Sequence, residues 1–234
     1  MLAAAPAAAA VGALLAWRLP AAPARAAHRT EHHPAGTDAW WAFAVLSAVT
    51  MARSVVFIGL YSFLAFLWMS RYRASEVGGS LVLAEYLGAG LAGTLAGGWL
   101  GDRVGHRAIV RGGFAGAVVL LEALLHAPSA GWAAGLLVLL AVCFALPSSV
   151  LVVLGQEYLP TRHGMASGVT LGLAVSVGGM AAPPLGWVAD RHGIGSVFLV
   201  LEVVLAVAAG LTFLLPRPPG VSMSGAVPPS EGGK

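Results

Sequence analysis

The chain has 234 residues, of which 58% are apolar and 10% charged, with a formal net charge of +3 and a mean hydropathy of +0.83. Soluble domains carry about 25% charged residues, so the chain has too little polar surface to cover a water-soluble globule. Its basic residues form no run, which argues against a nucleic-acid partner, and its single cysteine, Cys143, excludes an intrachain disulfide.

Seven apolar segments follow one another, at about 2–17, 40–69, 79–101, 108–127, 131–155, 164–188 and 194–215. About 20 helical residues cross a hydrocarbon core, and period-2 alternation is absent, which argues against a β-barrel. The expected fold is therefore an all-α membrane protein of six to seven transmembrane helices. The first segment is nearly all alanine. Its 16 residues reach only about 24 Å as a helix, against a core of about 30 Å. Met1 is not followed by the basic stretch that opens a signal peptide, so we read residues 1–17 as a truncated transmembrane helix. Residues 18–39 are rich in Ala, Pro, His and Arg without periodicity and read as a cytoplasmic linker. Within it, His28, His32 and His33 lack metal-ligand spacing. Residues 40–215 are expected to form the helical bundle, and residues 216–234 a disordered cytoplasmic tail.

The tryptophans at 17, 40, 41, 68, 99, 132 and 187 fall at or near span ends, where indole favours the headgroup region. If 18–39 is cytoplasmic, nine basic residues lie inside (Arg18, Arg25, Arg29, Arg103, Arg107, Arg111, Arg162, Arg217 and Lys234) and three outside (Arg71, Arg73 and Arg191). This positive-inside bias places the N-terminus outside and the C-terminus in the cytoplasm, in a plasma (inner) membrane.

Four ionisable residues fall within spans: Arg53, Glu85, Glu122 and Glu202. Each costs about 2.5–3.5 kcal/mol or more at a helix centre, so each is a functional candidate. Counting 1.5 Å per residue, Arg53 and Glu85 lie at similar depths on consecutive antiparallel helices. The expectation is that Arg53 faces a central cavity and binds an anionic group of a small-molecule substrate, because a planar guanidinium suits an oxyanion. Glu85 would be its ion partner or a proton carrier, and Tyr61 would line the same cavity. Glu122 and Glu202 are expected to be structural. Gly93, Gly97 and Gly101 repeat at four, as do Gly168, Gly172 and Ser176, a spacing that lets helix backbones approach. Pro147 should kink its span, with Ser148 and Ser149 satisfying freed backbone groups.

The octet Gly98-Trp99-Leu100-Gly101-Asp102-Arg103-Val104-Gly105 recurs 88 residues later as Gly186-Trp187-Val188-Ala189-Asp190-Arg191-His192-Gly193. At roughly 30 residues per span and loop, this spacing is three spans. The copies should therefore lie on opposite sides of the membrane, the mark of inverted three-helix repeats. Asp102 closes its helix at the negative end of the dipole and should seek a cation. Arg103 and Arg107 can pair with Glu157, so Asp102, Arg103, Arg107, Glu157 and Arg162 are expected to form a cytoplasmic gate cluster, with Gly98 and Gly105 of the octet as part of the gate. Asp190-Arg191 is expected to serve as a turn and cap.

The stretch Gly98–Arg107 resembles the loop motif of the major facilitator superfamily, with His106 where a basic residue is usual. Gln156–Pro160 with Arg162 and Gly164–Gly168 resembles the entry into that family's helix 11, and Gly178–Gly186, with Pro183 and Pro184, its Gly/Pro-rich end. The resemblance covers 40–215 as helices 7–12, with 2–17 similar to the end of helix 6. Arg53-Ser54, Gln156–Pro160 and Ala166–Gly172 are suggestive of the fosmidomycin-resistance type of drug efflux protein. The resemblance implies transport by alternating access, with proton-coupled drug or antibiotic efflux as the leading expectation. It also implies that Asp102 caps a helix of the other half in the outward-facing state. A half bundle does not enclose a central site, so its expected partners are the lipid bilayer and the missing N-terminal half or a second copy. Alternatives are a non-transporting scaffold, a dimerising half-transporter or a nutrient or metabolite transporter of the same superfamily. No HExxH or intramembrane Ser/His pair points to an enzyme, His126 and His163 are isolated at span ends, and no cofactor or metal is implied.

Overall fold

The computed structural model describes residues 38–216, so the 2–17 helix and nearly all of the 18–39 linker and 216–234 tail lie outside the described residues. Six helices are long and apolar enough to cross a membrane: α1 (Trp40–Tyr72), α2 (Glu76–Val104), α3 (His106–Leu125), α4 (Ala130–Tyr158), α5 (Gly164–His192) and α6 (Ile194–Phe213). Their ends fall within four residues of those read from hydropathy, because the chain turns where polar and capping residues allow it. Ser75 caps α2 by accepting from the Gly78 N–H at 3.2 Å, one of the donors a helix start leaves unpaired.

The two octets fold alike. Each ends a helix, and the closing glycine adopts positive φ, 99° at Gly105 and 84° at Gly193, which only glycine adopts without strain. Each glycine N–H returns 2.9 Å to the carbonyl four residues back, Gly101 or Ala189. Arg103 lies 3.9 Å over the Trp99 ring and Arg191 lies 4.7 Å over the Trp187 ring, a cation–π pair one helical turn long in each copy.

Helix packing carries the same symmetry. Helix α1 lies against α5 and α6, and α4 lies against α2 and α3, while α3 meets α6. Exchanging the first three helices for the last three converts one set of contacts into the other. The helix ends repeat it as well. The hydroxyl of Tyr72, last in α1, donates 3.2 Å to the Ala127 carbonyl just past α3. That of Tyr158, last in α4, donates 2.7 Å to the Pro216 carbonyl just past α6.

Two sets of small residues separate here. Gly93 and Gly97 press α2 onto the α4 backbone: a Cβ on Gly93 would come within 2.6 Å of the Val142 carbonyl oxygen, and one on Gly97 would collide with that of Leu146. Gly101 faces Val150 at a tighter than usual 3.0 Å. Gly168 and Gly172, expected to pack alike, have nothing near their Cβ positions and are exposed. They sit in a π-helical turn, Gly168–Leu173, whose wider winding turns them off the packed face. The close approach of α5 is made by Gly178 against the Ser54 carbonyl of α1 at 2.7 Å. Pro183 and Pro184 lie exposed within α5 without ending it.

At Pro147 the α4 path is interrupted between Ala145 and Pro147. The ring packs against Gly113 of α3, where a Cβ would lie 2.8 Å away. Ser148 and Ser149 do not serve the freed backbone. Ser149 donates to the Thr94 carbonyl at 3.4 Å, and Ser148 is taken by an arginine.

Candidate functional site

That arginine is Arg53. Its Nη2 donates to Ser148 Oγ across the bundle from α1 to the first turn after the α4 break, and its guanidinium carbon stands 5.1 Å over the Phe144 ring. Its Nε is buried without a hydrogen-bond partner. No carboxylate among the described residues lies within ion-pair distance of it. The expected Arg53–Glu85 pair is therefore not formed. Arg53 opens instead into a cavity of about 210 Å³ whose walls include Phe57 of α1, Tyr86, Leu87, Gly90, Leu91 and Thr94 of α2, and Ala141, Phe144 and Ala145 of α4. The α2 side chain that accompanies Arg53 is Tyr86, which is 3% exposed and whose hydroxyl is also buried without a partner. Glu85 is half-buried but outside the cavity wall. Tyr61 is 46% exposed, stacked on Phe57 at 6.5 Å between ring centroids, and does not line the cavity.

The end of the bundle that holds Asp102 is organised around different partners from those expected. His106, the departure from the usual motif, bridges two carboxylates: its Nε2 is 3.9 Å from Asp102 and its Nδ1 3.4 Å from Glu157. Asp102 is otherwise open, with 82% of its side chain exposed. The basic residues assigned to the cluster go elsewhere. Arg103 stacks on Trp99. Arg107 donates from Nη2 to the Leu215 carbonyl, and Arg111 donates to Thr212 and Phe213 at 3.3 and 3.1 Å. With Tyr158 they close the carbonyl end of α6, where the helix dipole favours cations. Arg162 lies over Trp40 at 5.5 Å and 3.9 Å from Asp38, whose carboxylate accepts from Thr161 Oγ1 at 2.6 Å. The five expected members thus divide among four local structures. Sequence spacing places them at one end correctly, but the α6 carbonyls that attract Arg107 and Arg111 are invisible until the helices pack.

At the opposite end, Arg71 donates to the Leu125 and Ala127 carbonyls, the counterpart at α3 of the Arg107/Arg111 closure at α6. Asp190 makes no ion pair or side-chain hydrogen bond among those of the described residues, so the turn expected of it is made by Gly193. Glu122 meets His126 at 3.3 Å in an exposed pair. Among the described residues no group of three or more potential metal ligands forms.

Comparison with known proteins agrees with this architecture. The sequence profile of the Major Facilitator Superfamily matches residues 1–183. The chain is 31% identical to the fosmidomycin resistance protein of Escherichia coli K12 over 175 residues, 75% of this chain and 43% of that protein. It is 34% identical over 157 residues to YfnC of Bacillus subtilis 168, described as an uncharacterized MFS-type transporter, covering 66% of this chain and 37% of that one. The MFS-type transporter ppzB of Metarhizium majus is 32% identical over 139 residues, covering 57% and 29%. The chain thus spans less than half the length of each of these relatives. On a profile match of more than half its length, and a bundle of six membrane-length helices in two exchangeable trios, the chain belongs to the major facilitator superfamily.

Proposed function

We propose that this chain supplies the back half of an alternating-access exporter of small molecules, with the Asp102 end facing the cytoplasm and Arg53 in the transport path. The observation that carries this is Arg53 itself. A buried guanidinium in a membrane-length helix, with no carboxylate among the described residues to neutralise it, is costly and is retained where a ligand supplies the missing partner. The α4 break lies next to the cavity, and the backbone contacts at Gly93, Gly97 and Gly178 couple α2 to α4 and α5 to α1, so that each pair can move as one. Asp102, exposed at its helix end, is placed to meet a helix of a front half or of a second copy. We assign proton coupling to Glu85, half-buried one residue before Tyr86. Drug efflux as the direction draws support from the relative named for fosmidomycin resistance.

The test is export by the natural gene product in an efflux-deficient bacterium. Accumulation of a panel of antibiotics and small organic acids is measured for the wild type and for Arg53→Gln. The reading requires at least one compound that is excluded by the wild type and accumulates in the variant at equal protein level in the membrane. Identical accumulation across the panel would remove Arg53 from the transport path.

A further inference from the structure

The Arg53 cavity has a second polar element that restricts what it holds. We infer that Tyr86 is the second ligand-binding residue of this site and that the site selects a carboxylate-type oxyanion carried on an apolar body. The inference rests on the transport reading above only for its biological use; the binding chemistry stands by itself.

Arg53 already commits one nitrogen to Ser148 and one face to Phe144. Its Nε–H is buried and unpaired, and Tyr86, which lines the same cavity, brings a hydroxyl in the same condition. Leaving such groups unmatched is unfavourable, more so when charged, so both are poised for an acceptor. A guanidinium has no acceptor to offer, whereas a phenol can donate. A ligand that takes both hydrogens accepts twice, which a carboxylate does with its two oxygens while its charge matches the guanidinium. A cation would meet the charge of Arg53, and a molecule with only donors would leave the Arg53 Nε–H unpaired.

The rest of the wall sets the body of the ligand. Phe57, Leu87, Leu91, Ala141, Phe144 and Ala145 are apolar, and the volume is several times the ~30 Å³ share of one water. The Tyr86 ring is held by Phe57 at 6.2 Å between centroids, so its hydroxyl is positioned before a ligand arrives. A small hydrophilic anion would gain the two hydrogen bonds but leave these walls in contact with water.

The experiment is a fluorine NMR titration of 4-fluorophenylacetate against the protein in lipid nanodiscs, with 4-fluorophenylacetamide as the neutral isostere. The wild type should bind the carboxylate and bind the amide at least tenfold more weakly. Tyr86→Phe removes one oxygen that has no protein partner, so the ligand-free melting temperature should hold or rise. Its affinity for the carboxylate should nonetheless fall by about ten- to hundredfold, the range for losing a hydrogen bond to a charged group. Arg53→Gln should abolish binding. Equal affinity for acid and amide, or unchanged affinity in a folded Tyr86→Phe, would overturn the inference. If export depends on Arg53 while Tyr86→Phe leaves the affinity unchanged, the inference fails and the transport reading stands. If the acid binds through both residues while cells exclude nothing, the transport reading fails and the inference stands.

Discussion

Replacing Gly97 by alanine tests the claim that α2 and α4 are held together backbone to backbone. A Cβ at Gly97 would run into the Leu146 carbonyl oxygen and would lie 2.8 Å from its carbon and 2.9 Å from its Cα. Ordinary contacts begin near 3.4 Å, so the helices must part locally by more than about half an ångström, and the obstacle is main chain that has no rotamer to escape into. Overpacking of this kind costs about 1–3 kcal/mol. Alanine also returns about 1 kcal/mol of helix propensity, which would mask part of the loss. Gly112→Ala removes that ambiguity, because Gly112 sits in α3 with nothing within 4 Å of its Cβ position and gains the same propensity without the clash. The difference between the variants therefore reports the clash alone. At roughly 2–4 °C per kcal/mol for a chain of this size, Gly97→Ala should melt about 2–12 °C below Gly112→Ala when both are followed by fluorescence-detected size exclusion in detergent. Equal melting temperatures would refute close packing at this crossing.

Tyr158→Phe, which loses the 2.7 Å bond to Pro216, should cost about 1 kcal/mol. It should speed hydrogen exchange at the end of α6, whereas Tyr72→Phe should do so beyond α3; the reverse pattern would reject the paired closures. Asp102→Asn should cost under about 0.5 kcal/mol in chemical denaturation, since the side chain is largely in water, yet it should slow export if Asp102 meets the other half. A stability loss above 1 kcal/mol would show that the His106 bridge is the main role. Arg53→Lys keeps the charge but not the planar fork that reaches Ser148 while lying over Phe144. Export should fall nearly as far as in Arg53→Gln, and full export by the lysine variant would reduce Arg53 to a point charge.

The sequence carried the repeat in full. An octet ending in glycine, found twice at a three-span interval, announced two helix ends with one geometry, and both show the same tryptophan–arginine stack and the same glycine turn. Position along the helix was also readable: counting residues came within one position of the α2 side chain that lines the Arg53 cavity. The direction around the helix was not. Glu85 and Tyr86 differ by about 100° of helical rotation, and only the tyrosine faces α1 and α4. A search for intramembrane charges passes over a neutral hydroxyl, although Tyr86 is the only tyrosine in an α2 otherwise dominated by glycine, alanine and leucine. The glycines of α5 failed for another reason. Spacing of four implies one face only while the winding is α, and the π-helical turn at Gly168–Leu173 rotates that face away.

The closures at the two ends suggest which parts of the bundle can move. In each trio the end of the first helix is tied to the end of the third, α1 to α3 through Tyr72 and Arg71, and α4 to α6 through Tyr158. Among the described residues the middle helices, α2 and α5, have no such tie, and they are the least buried, 22% against 50% for α1. Their tightest contacts cross between the trios, α2 onto α4 at Gly93 and Gly97 and α5 onto α1 at Gly178. A change of shape that preserves those backbone contacts must therefore carry α2 with α4 and α5 with α1. The Arg53–Ser148 bond spans these two pairs, from α1 to α4. A ligand that drew Arg53 away from Ser148 would loosen a link between them, so the cavity and the moving surfaces share the same few residues.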